Sequence, residues 1–379
     1  MSMRILTASG HAASGEVVGT LTKALKSRHH DVISIAFGPG AASFKKASTM
    51  DPDRIITDAS PKACAAYLKE YRPEVIVTGT GHPDKENPFA LEQSIVFVSK
   101  RDIPSVAVLD IAGMEAQRFS RVHPKTKRIL EPNVFVPSVI CAVNETSRAA
   151  LMAAGIDDKI IEVTGNPHNS EMLMAYRFMC QRANLVRGWV AEIVRGGDRP
   201  IILLIAGKMK SMYAATGGYD EAGCVWKILG ILKELSETMP LSVILRPHPA
   251  QKEANDEWKT AGGPNLTVYV DLPSKLSLQE TIVASDLVIG TRSGGFVEAR
   301  MADRQVVSFQ PGAKEKRDKT ICTAANEAEL SESIKQALQG KLALEPVDIP
   351  ADSTERVVSI VESFSTEAPI VKKLRQLHL

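Results

Sequence analysis

The sequence predicts an α/β protein with two Rossmann-like, doubly wound domains that face a central cleft, and with a C-terminal helix. Short apolar runs of strand type alternate with amphipathic helical segments along both halves of the chain, a pattern typical of parallel sheets covered on both faces. A polar, turn-rich stretch at 195–200 separates the two alternations. A chain of 379 residues is also long enough for about two domains.

The first alternation occupies residues 1–169, which we predict to be the N-terminal Rossmann-like domain. The segment 165–169, Gly-Asn-Pro-His-Asn, then breaks the pattern, and a helical linker is predicted at 170–199. Apolar runs and helical periodicity define the elements before this break. They predict strands at 4–8, 32–37, 74–78, 105–109, 139–143 and 160–164, and helices at 15–27, 61–70, 89–100 and 145–154.

The second alternation occupies residues 200–350 and predicts a second Rossmann-like domain. The tail at 351–379 is predicted to be a helix that packs back on the first domain. The same periodicity defines the elements of the second domain. They are strands at 200–206, 242–246, 267–270, 287–289 and 305–309, and helices at 221–237, 277–284, 296–301 and 327–338.

The composition is that of a soluble globular protein. Its net charge of +2 is too balanced for nucleic acid to be the main partner. No apolar run approaches the ~18–20 residues of a membrane span, and the first residues lack a signal-peptide pattern. The five scattered cysteines without a Cys-x-x-Cys pair predict a reduced, cytoplasmic protein, and the eight histidines lack metal-ligand spacing. Peripheral membrane association and the oligomeric state stay open.

The segment 284–298 is the most informative motif. It combines a buried strand, the small-residue turn Ser293-Gly294-Gly295 and a helix start. Glycine lets the backbone pass close to a ligand, and the first amide groups of a helix suit a phosphate. Glu298 lies one turn into the helix, where its carboxylate could bind ribose hydroxyls. The motif predicts a nucleotide or nucleotide-sugar site, and a plain strand-to-helix turn is the alternative.

Two further motifs of the second domain also follow predicted strands. Lys208 comes after Gly207, where an ammonium group could neutralise a phosphate, and a surface lysine is the alternative. Arg246 and His248 are held in a stiff turn by two prolines, a presentation that suits contacts to a phosphate or a base.

Three strand ends of the first domain carry candidate acid–base residues. Gly10 and His11 follow the first strand, where a neutral imidazole could take a proton from a hydroxyl nucleophile. His82 and Asp84 lie in a glycine-rich turn, and Asp110 follows another strand. The alternatives are solvated loop residues and, for Asp110, a helix cap.

Together these motifs resemble the GT-B superfamily, which includes nucleotide-sugar glycosyltransferases and non-hydrolysing UDP-N-acetylglucosamine 2-epimerases. Residues 285–298 are similar to the epimerase pattern of Ser-Asp-Leu-Val followed by Ser-Gly-Gly-x-x-Glu, in which the turn holds the diphosphate and Glu holds the ribose. Residues 163–167 are similar to the Val-Thr-Gly-Asn-Pro segment that ends the first domain in that family. Residues 246–249 are similar to a segment of CDP-glycerol glycerophosphotransferases.

The chain also departs from the epimerases. Gly-Lys-Met-Lys at 207–210 stands where they carry His-Arg-Arg-Glu-Asn, and the segments 79–82 and 110–113 stand where they carry Gly-Asp-Thr and Glu-Ala-Gly. The acid–base set for epimerisation is therefore not intact. Gly10-His11 instead resembles the Gly-His of many inverting glycosyltransferases, in which the histidine is the base, and residues 13–16 resemble a segment of lipid A disaccharide synthase.

The resemblance implies a glycosyltransferase that moves a sugar from a nucleotide-diphosphate sugar to an acceptor hydroxyl without a metal or other cofactor. His11 or Asp110 would be the base, and Gly10 and His82 would lie on the acceptor side in the first domain. An epimerase-like enzyme and a non-catalytic partner protein are the alternatives. The nucleotide would be bound in the second domain by Lys208, Arg246, His248, Ser293, Gly294, Gly295 and Glu298.

Overall fold

The computed structural model describes residues 2–83, 88–100, 102–111, 113–123, 125–126, 128–207, 220–248, 256–272, 275–313 and 319–366. The chain divides into two compact units. The first unit combines Met1–Glu171 with Ile349–Leu379, and the second is Met172–Asp348. Within the described residues, no helix is both long and apolar enough to cross a membrane.

The first unit is built on alternating strands and helices, as the sequence predicts. Its strands are β1 (Arg4–Ser9), β2 (Asp31–Phe37), β3 (Arg54–Ile56), β4 (Val75–Thr78), β5 (Ser105–Val108), β6 (Arg121–Val122), β7 (Ile129–Glu131), β8 (Val139–Ala142) and β9 (Ile161–Val163). Its helices are α1 (Ala12–Ser27), α2 (Pro39–Ser48), α3 (Pro61–Tyr71), α4 (Leu91–Ser99), α5 (Glu115–Arg118) and α6 (Glu145–Ala153), followed by α7 (Pro167–Cys180), which continues into the second unit.

Seven of these strands form one sheet in the order β3-β2-β1-β4-β5-β8-β9, and all of its pairs are parallel. Helices cover both faces because neighbouring strand residues point to opposite sides. Ile5 packs in one buried cluster with Leu21 and Val357, whereas Leu6 packs in another with Leu68 and Ile95. Val357 belongs to the last helix, α13 (Ser353–Thr366), which therefore completes the core of this unit.

The second unit repeats the architecture. After α8 (Ala183–Val194), its strands are β10 (Ile201–Ile205), β11 (Leu241–Arg246), β12 (Leu266–Val270), β13 (Leu287–Gly290), β14 (Gln305–Phe309) and β15 (Cys322–Ala324). Its remaining helices are α9 (Glu221–Ser236), α10 (Leu278–Ala284), α11 (Gly295–Met301) and α12 (Glu327–Leu338). The strands form a parallel sheet in the order β12-β11-β10-β13-β14-β15, which is the doubly wound Rossmann order. The prediction of two Rossmann-like sheets is confirmed.

The structure differs from the predicted elements in several places. The helix α2 and the three-residue strand β3 were not predicted, because both are short and their apolar residues show little periodicity. The helical linker predicted at 170–199 contains two helices, separated at Gln181 and Arg182. Its start lies earlier, at Pro167, because the Asn166 side chain accepts a hydrogen bond from the His168 amide at 2.8 Å.

Candidate functional site

In each unit the candidate residues lie where the strand order reverses. β1 pairs with β2 on one side and with β4 on the other, and β10 pairs in the same way with β11 and β13. Ligands of doubly wound sheets bind outside the carboxyl ends of the strands at such a switch point. The loops that follow β1 and β4 hold Gly10–His11 and residues 79–82, and the loop that follows β13 holds Ser293–Gly295.

The turn after β13 is open at its centre. The Gly295 amide donates a hydrogen bond to Ser293 Oγ at 3.1 Å, which fixes the turn. Gly294 is exposed, has an ordinary right-handed φ of −59°, and a Cβ placed on it would meet nothing within 4 Å. Gly290 differs, because a Cβ there would collide with the Ile205 carbonyl oxygen of the neighbouring strand. Close packing therefore accounts for a glycine at position 290. Neither close packing nor backbone strain accounts for the glycine at position 294, Gly294.

Glu298 is held by a residue that the sequence did not single out. It lies one turn into α11, and its Oε2 accepts a hydrogen bond from the Tyr176 hydroxyl at 2.8 Å. Tyr176 is fully buried. Burial and the Glu298 charge raise the pKa of Tyr176, so the phenol stays protonated and acts as the donor.

Arg246 is anchored by a buried acid at the end of β11. Its Nη1 donates to Asp271 Oδ2 at 3.1 Å and to the Leu276 carbonyl at 2.9 Å. Asp271 is fully buried, and its Oδ1 accepts a hydrogen bond from the Lys275 amide at 2.8 Å. The ion pair fixes the guanidinium at the carboxyl edge of the sheet, and no sequence pattern indicated this contact. Partly buried His248 lies two residues beyond the strand.

Some predicted positions lie outside the described residues. Lys208 is one of them, as are Asp84 in the first unit and Pro249 after His248.

In the first unit a buried carboxylate organises the loop after β1. Glu92 Oε1 accepts hydrogen bonds from the Gly10 amide at 2.7 Å and from the His11 amide at 3.3 Å. Glu92 is only 3% exposed, and a Cβ on Gly81 would lie 2.7 Å from its Oε2. Glu92 is a site residue that sequence reasoning missed, although an acid in the first turn of a predicted helix was a signal for it.

The His11 ring is oriented by a backbone carbonyl. Its Nε2 lies 2.9 Å from the His82 carbonyl oxygen, and the two imidazole rings meet edge to face with centroids 5.5 Å apart. A carbonyl can only accept a hydrogen bond, so Nε2 carries the proton. In the neutral ring the lone pair is therefore on Nδ1, and His11 can accept a proton there.

Asp110 is already paired with a cation. Arg118 Nη1 contacts both Asp110 Oδ1 and Thr80 Oγ1, and Thr80 Oγ1 donates to Asp110 Oδ1 at 3.2 Å. The carboxylate and the guanidinium are about one-tenth exposed, at 9% and 11%. The Asn166 side chain also donates to the Asp110 backbone carbonyl at 2.6 Å. Proton uptake by Asp110 would break a buried ion pair, so this geometry favours His11 over Asp110 as the base.

His168, which sequence analysis treated only as part of a loop, forms a second polar cluster in the first unit. Its Nδ1 lies 3.4 Å from Thr20 Oγ1, and its Nε2 lies 3.9 Å from Glu16 Oε2. Burial lowers the pKa of His168, and the Glu16 charge opposes that shift. Throughout the described part of the chain, no group of three or more His, Cys, Asp or Glu side chains is placed to hold a metal ion.

Comparison with known proteins identifies the fold. No protein-family model matches the chain, and no curated protein sequence matches it. Solved structures do match. The UDP-GlcNAc 2-epimerase from Methanocaldococcus jannaschii is 15% identical with a TM-score of 0.67, and the match covers 95% of this chain and 100% of that one.

Two further solved structures match over similar lengths. The UDP-GlcNAc 2-epimerase from Neisseria meningitidis, bound to UDP-GlcNAc, is 12% identical with a TM-score of 0.68, covering 95% of this chain and 100% of that one. A glycosyltransferase from Rickettsia africae is 12% identical with a TM-score of 0.57, covering 97% of this chain and 100% of that one. The chain therefore shares the overall fold of these structures, and this confirms the GT-B fold that its motifs predicted.

Proposed function

We propose that this protein is a glycosyltransferase that uses a nucleotide-diphosphate sugar. The second unit binds the nucleotide through Ser293, Gly294, Gly295 and Glu298, and the first unit places an acceptor hydroxyl at His11. One observation carries the proposal: an open Ser-Gly-Gly turn at the switch point is followed, one turn later, by a carboxylate held in place by Tyr176. Similarity to an epimerase solved with UDP-GlcNAc supports the same ligand class.

The chemistry of the turn suits a diphosphate. Ser293 supplies a hydroxyl, and Gly294 leaves open space where a side chain would stand, so phosphate oxygens can approach the backbone of the turn. Arg246, held by its ion pair with Asp271, presents a fixed guanidinium at the same sheet edge. Glu298 supplies an acceptor for ribose hydroxyls, which are hydrogen-bond donors.

The first unit suits transfer to a hydroxyl. His11 Nδ1 takes the proton from the acceptor hydroxyl, the oxygen attacks the anomeric carbon, and the diphosphate leaves with the bonding electrons. This reaction needs one base. Because Asp110 is paired with Arg118, the described residues favour a single-base reaction.

An epimerase-like activity is the second candidate. It is favoured by the TM-scores, which are 0.67 and 0.68 for the two epimerases but 0.57 for the glycosyltransferase. Reversing the configuration of a sugar carbon requires removal of a proton and its return to the other face, which normally takes two acid–base groups. The pairing of Asp110 with Arg118 argues against such a set.

Calorimetry with UDP tests the nucleotide site. We expect UDP to bind the wild type, and the Glu298→Ala variant to bind it about 10- to 100-fold more weakly, because a hydrogen bond to a charged group is lost. Glu234→Ala, which removes an exposed acid from α9 of the same unit, is the matched control. A wild type that neither UDP nor GDP, CDP or TDP binds or stabilises against heat would overturn the proposal.

Incubation with UDP-N-acetylglucosamine alone separates the two activities. In the absence of an acceptor, a glycosyltransferase leaves the sugar configuration unchanged, whereas an epimerase forms the 2-epimer, which proton NMR detects. Appearance of the epimer at a catalytic rate would replace the transferase assignment by the epimerase one.

A further inference from the structure

The contact between Tyr176 and Glu298 joins two distant parts of the second unit. The two residues are 122 positions apart in the chain, and the phenol oxygen lies 2.8 Å from Glu298 Oε2. Tyr176 is fully buried, whereas Glu298 is partly exposed near the Ser-Gly-Gly turn. The phenol thus approaches the carboxylate from inside the protein.

Tyr176 lies on a face of helix α7 that makes two further contacts with the second unit. Gln279 Nε2 lies 3.7 Å from Met172 Sδ, and Cys180 Sγ lies 3.8 Å from the Ala302 carbonyl. Met172, Tyr176 and Cys180 are spaced by four residues, so they lie on one face of the helix. Tyr176 therefore presents its hydroxyl to α11 from a fixed position.

Burial and the neighbouring charges keep the Tyr176 hydroxyl protonated, so it remains the donor in this contact. The pKa of Tyr176 is raised first by burial and then by the Glu298 charge, whereas the positive charge of nearby Arg246 acts in the opposite direction. A protonated phenol facing a carboxylate makes a charge-assisted hydrogen bond, which is stronger than a neutral one. The bond holds one carboxylate oxygen, Oε2, on the side of the buried phenol.

We propose that Tyr176 is the positioning residue that makes the nucleotide site selective for ribose, by holding Glu298 in the orientation that receives the ribose hydroxyls. This inference rests on the proposed function, because it assigns the carboxylate to the ribose of a nucleoside diphosphate. It adds a role for a buried residue outside the nucleotide motif itself. Without the phenol, the carboxylate loses a contact that holds its orientation, and ordering it on binding costs more free energy.

The test compares UDP with its 2′,3′-dideoxy analogue, which lacks both ribose hydroxyls. Dissociation constants are measured by calorimetry for the wild type and for Tyr176→Phe, which removes only the phenol oxygen. We expect the variant to bind UDP about three- to tenfold more weakly while its affinity for the analogue is unchanged. Tyr67→Phe, a similar change on α3 of the first unit, is the control and should leave both constants unchanged.

The ratio of the two dissociation constants is the decisive readout. A substitution that only disturbed the local structure would weaken the binding of both ligands alike. In a Glu298→Gln background, Tyr176→Phe should change the ratio no further, since the group that it positions is gone. An unchanged ratio in Tyr176→Phe, with UDP still binding the wild type, would overturn the positioning role alone. If the wild type binds none of UDP, GDP, CDP and TDP, the proposed function is overturned and this inference with it.

Discussion

The two units share a strand order and a switch point, yet they use glycine there for different purposes. In the first unit a Cβ on Gly79 would lie 2.9 Å from Ser14 Cα, and one on Gly81 would lie 2.7 Å from Glu92 Oε2. In the second unit a Cβ on Gly294 would meet nothing within 4 Å. The first set of glycines is required by packing, and Gly294 is not. Among these three glycines, only Gly294 leaves space beside it that a ligand could fill.

The acidic side chains of the two units differ in whether a partner cancels their charge. In the first unit Asp110 is neutralised by Arg118, and Glu92 is committed to the amides of Gly10 and His11. In the second unit Glu298 is oriented by a neutral phenol, so its negative charge is not cancelled by this contact. We infer that the first unit orients a base and that the second unit binds the nucleotide.

Replacing His11 should have the largest effect, and it separates the role of the base from that of the nucleotide site. His11→Ala should lower turnover about 100- to 10,000-fold, the usual contribution of a general base, and should leave the dissociation constant for UDP unchanged. Steady-state kinetics and calorimetry measure the two quantities. His123→Ala, a histidine elsewhere in the first unit, is the control. Full activity in His11→Ala would remove this residue as the base.

A matched pair of glycine substitutions gives the next effect in size. Gly79→Ala should lower the free energy of unfolding by about 1–3 kcal/mol, because its methyl group collides with Ser14. Gly294→Ala should change it by no more than about 0.5 kcal/mol and should weaken UDP binding about tenfold, because the methyl group occupies the open side of the turn. Urea denaturation and calorimetry test the pair, and equal losses of stability would refute the contrast between the units.

The smallest expected effect concerns the pH dependence of the first unit. Burial lowers the pKa of His168 in the folded state below its ordinary value, so the unfolded chain binds the proton more readily and stability falls as the pH drops through the ordinary histidine range. Glu16 and Lys46 face the ring and shift its pKa in opposite directions. His168→Gln should reduce the stability difference between about pH 7.5 and pH 5.5 by less than about 1 kcal/mol.

The measurement for His168 is urea denaturation at both pH values. His29→Gln, which changes an exposed histidine of the same unit, is the control. If acid lowered the stability of His168→Gln more than that of the wild type, the direction assigned to the His168 pKa shift would be contradicted.

The elements with strong periodicity were predictable. The strand at 287–290 and the helix at 221–236 follow from apolar runs and amphipathic spacing, as the structure confirms. The hairpin of β6 and β7 was missed, because its strands have only two and three residues and its β7 side chains are exposed. The break at Gln181 and Arg182 was missed because the residues on either side are ordinary helix formers.

The sequence by itself determined the order of strands and helices, the two parallel sheets and the placement of the glycine turns at strand ends. These features depend on neighbouring residues, whose spacing is visible in the chain. Only the tertiary structure decided that Arg118 neutralises Asp110, that Glu92 holds Gly10, and that Tyr176 holds Glu298. The partners in the last two pairs are 82 and 122 residues apart, so packing, and not local pattern, brings them together.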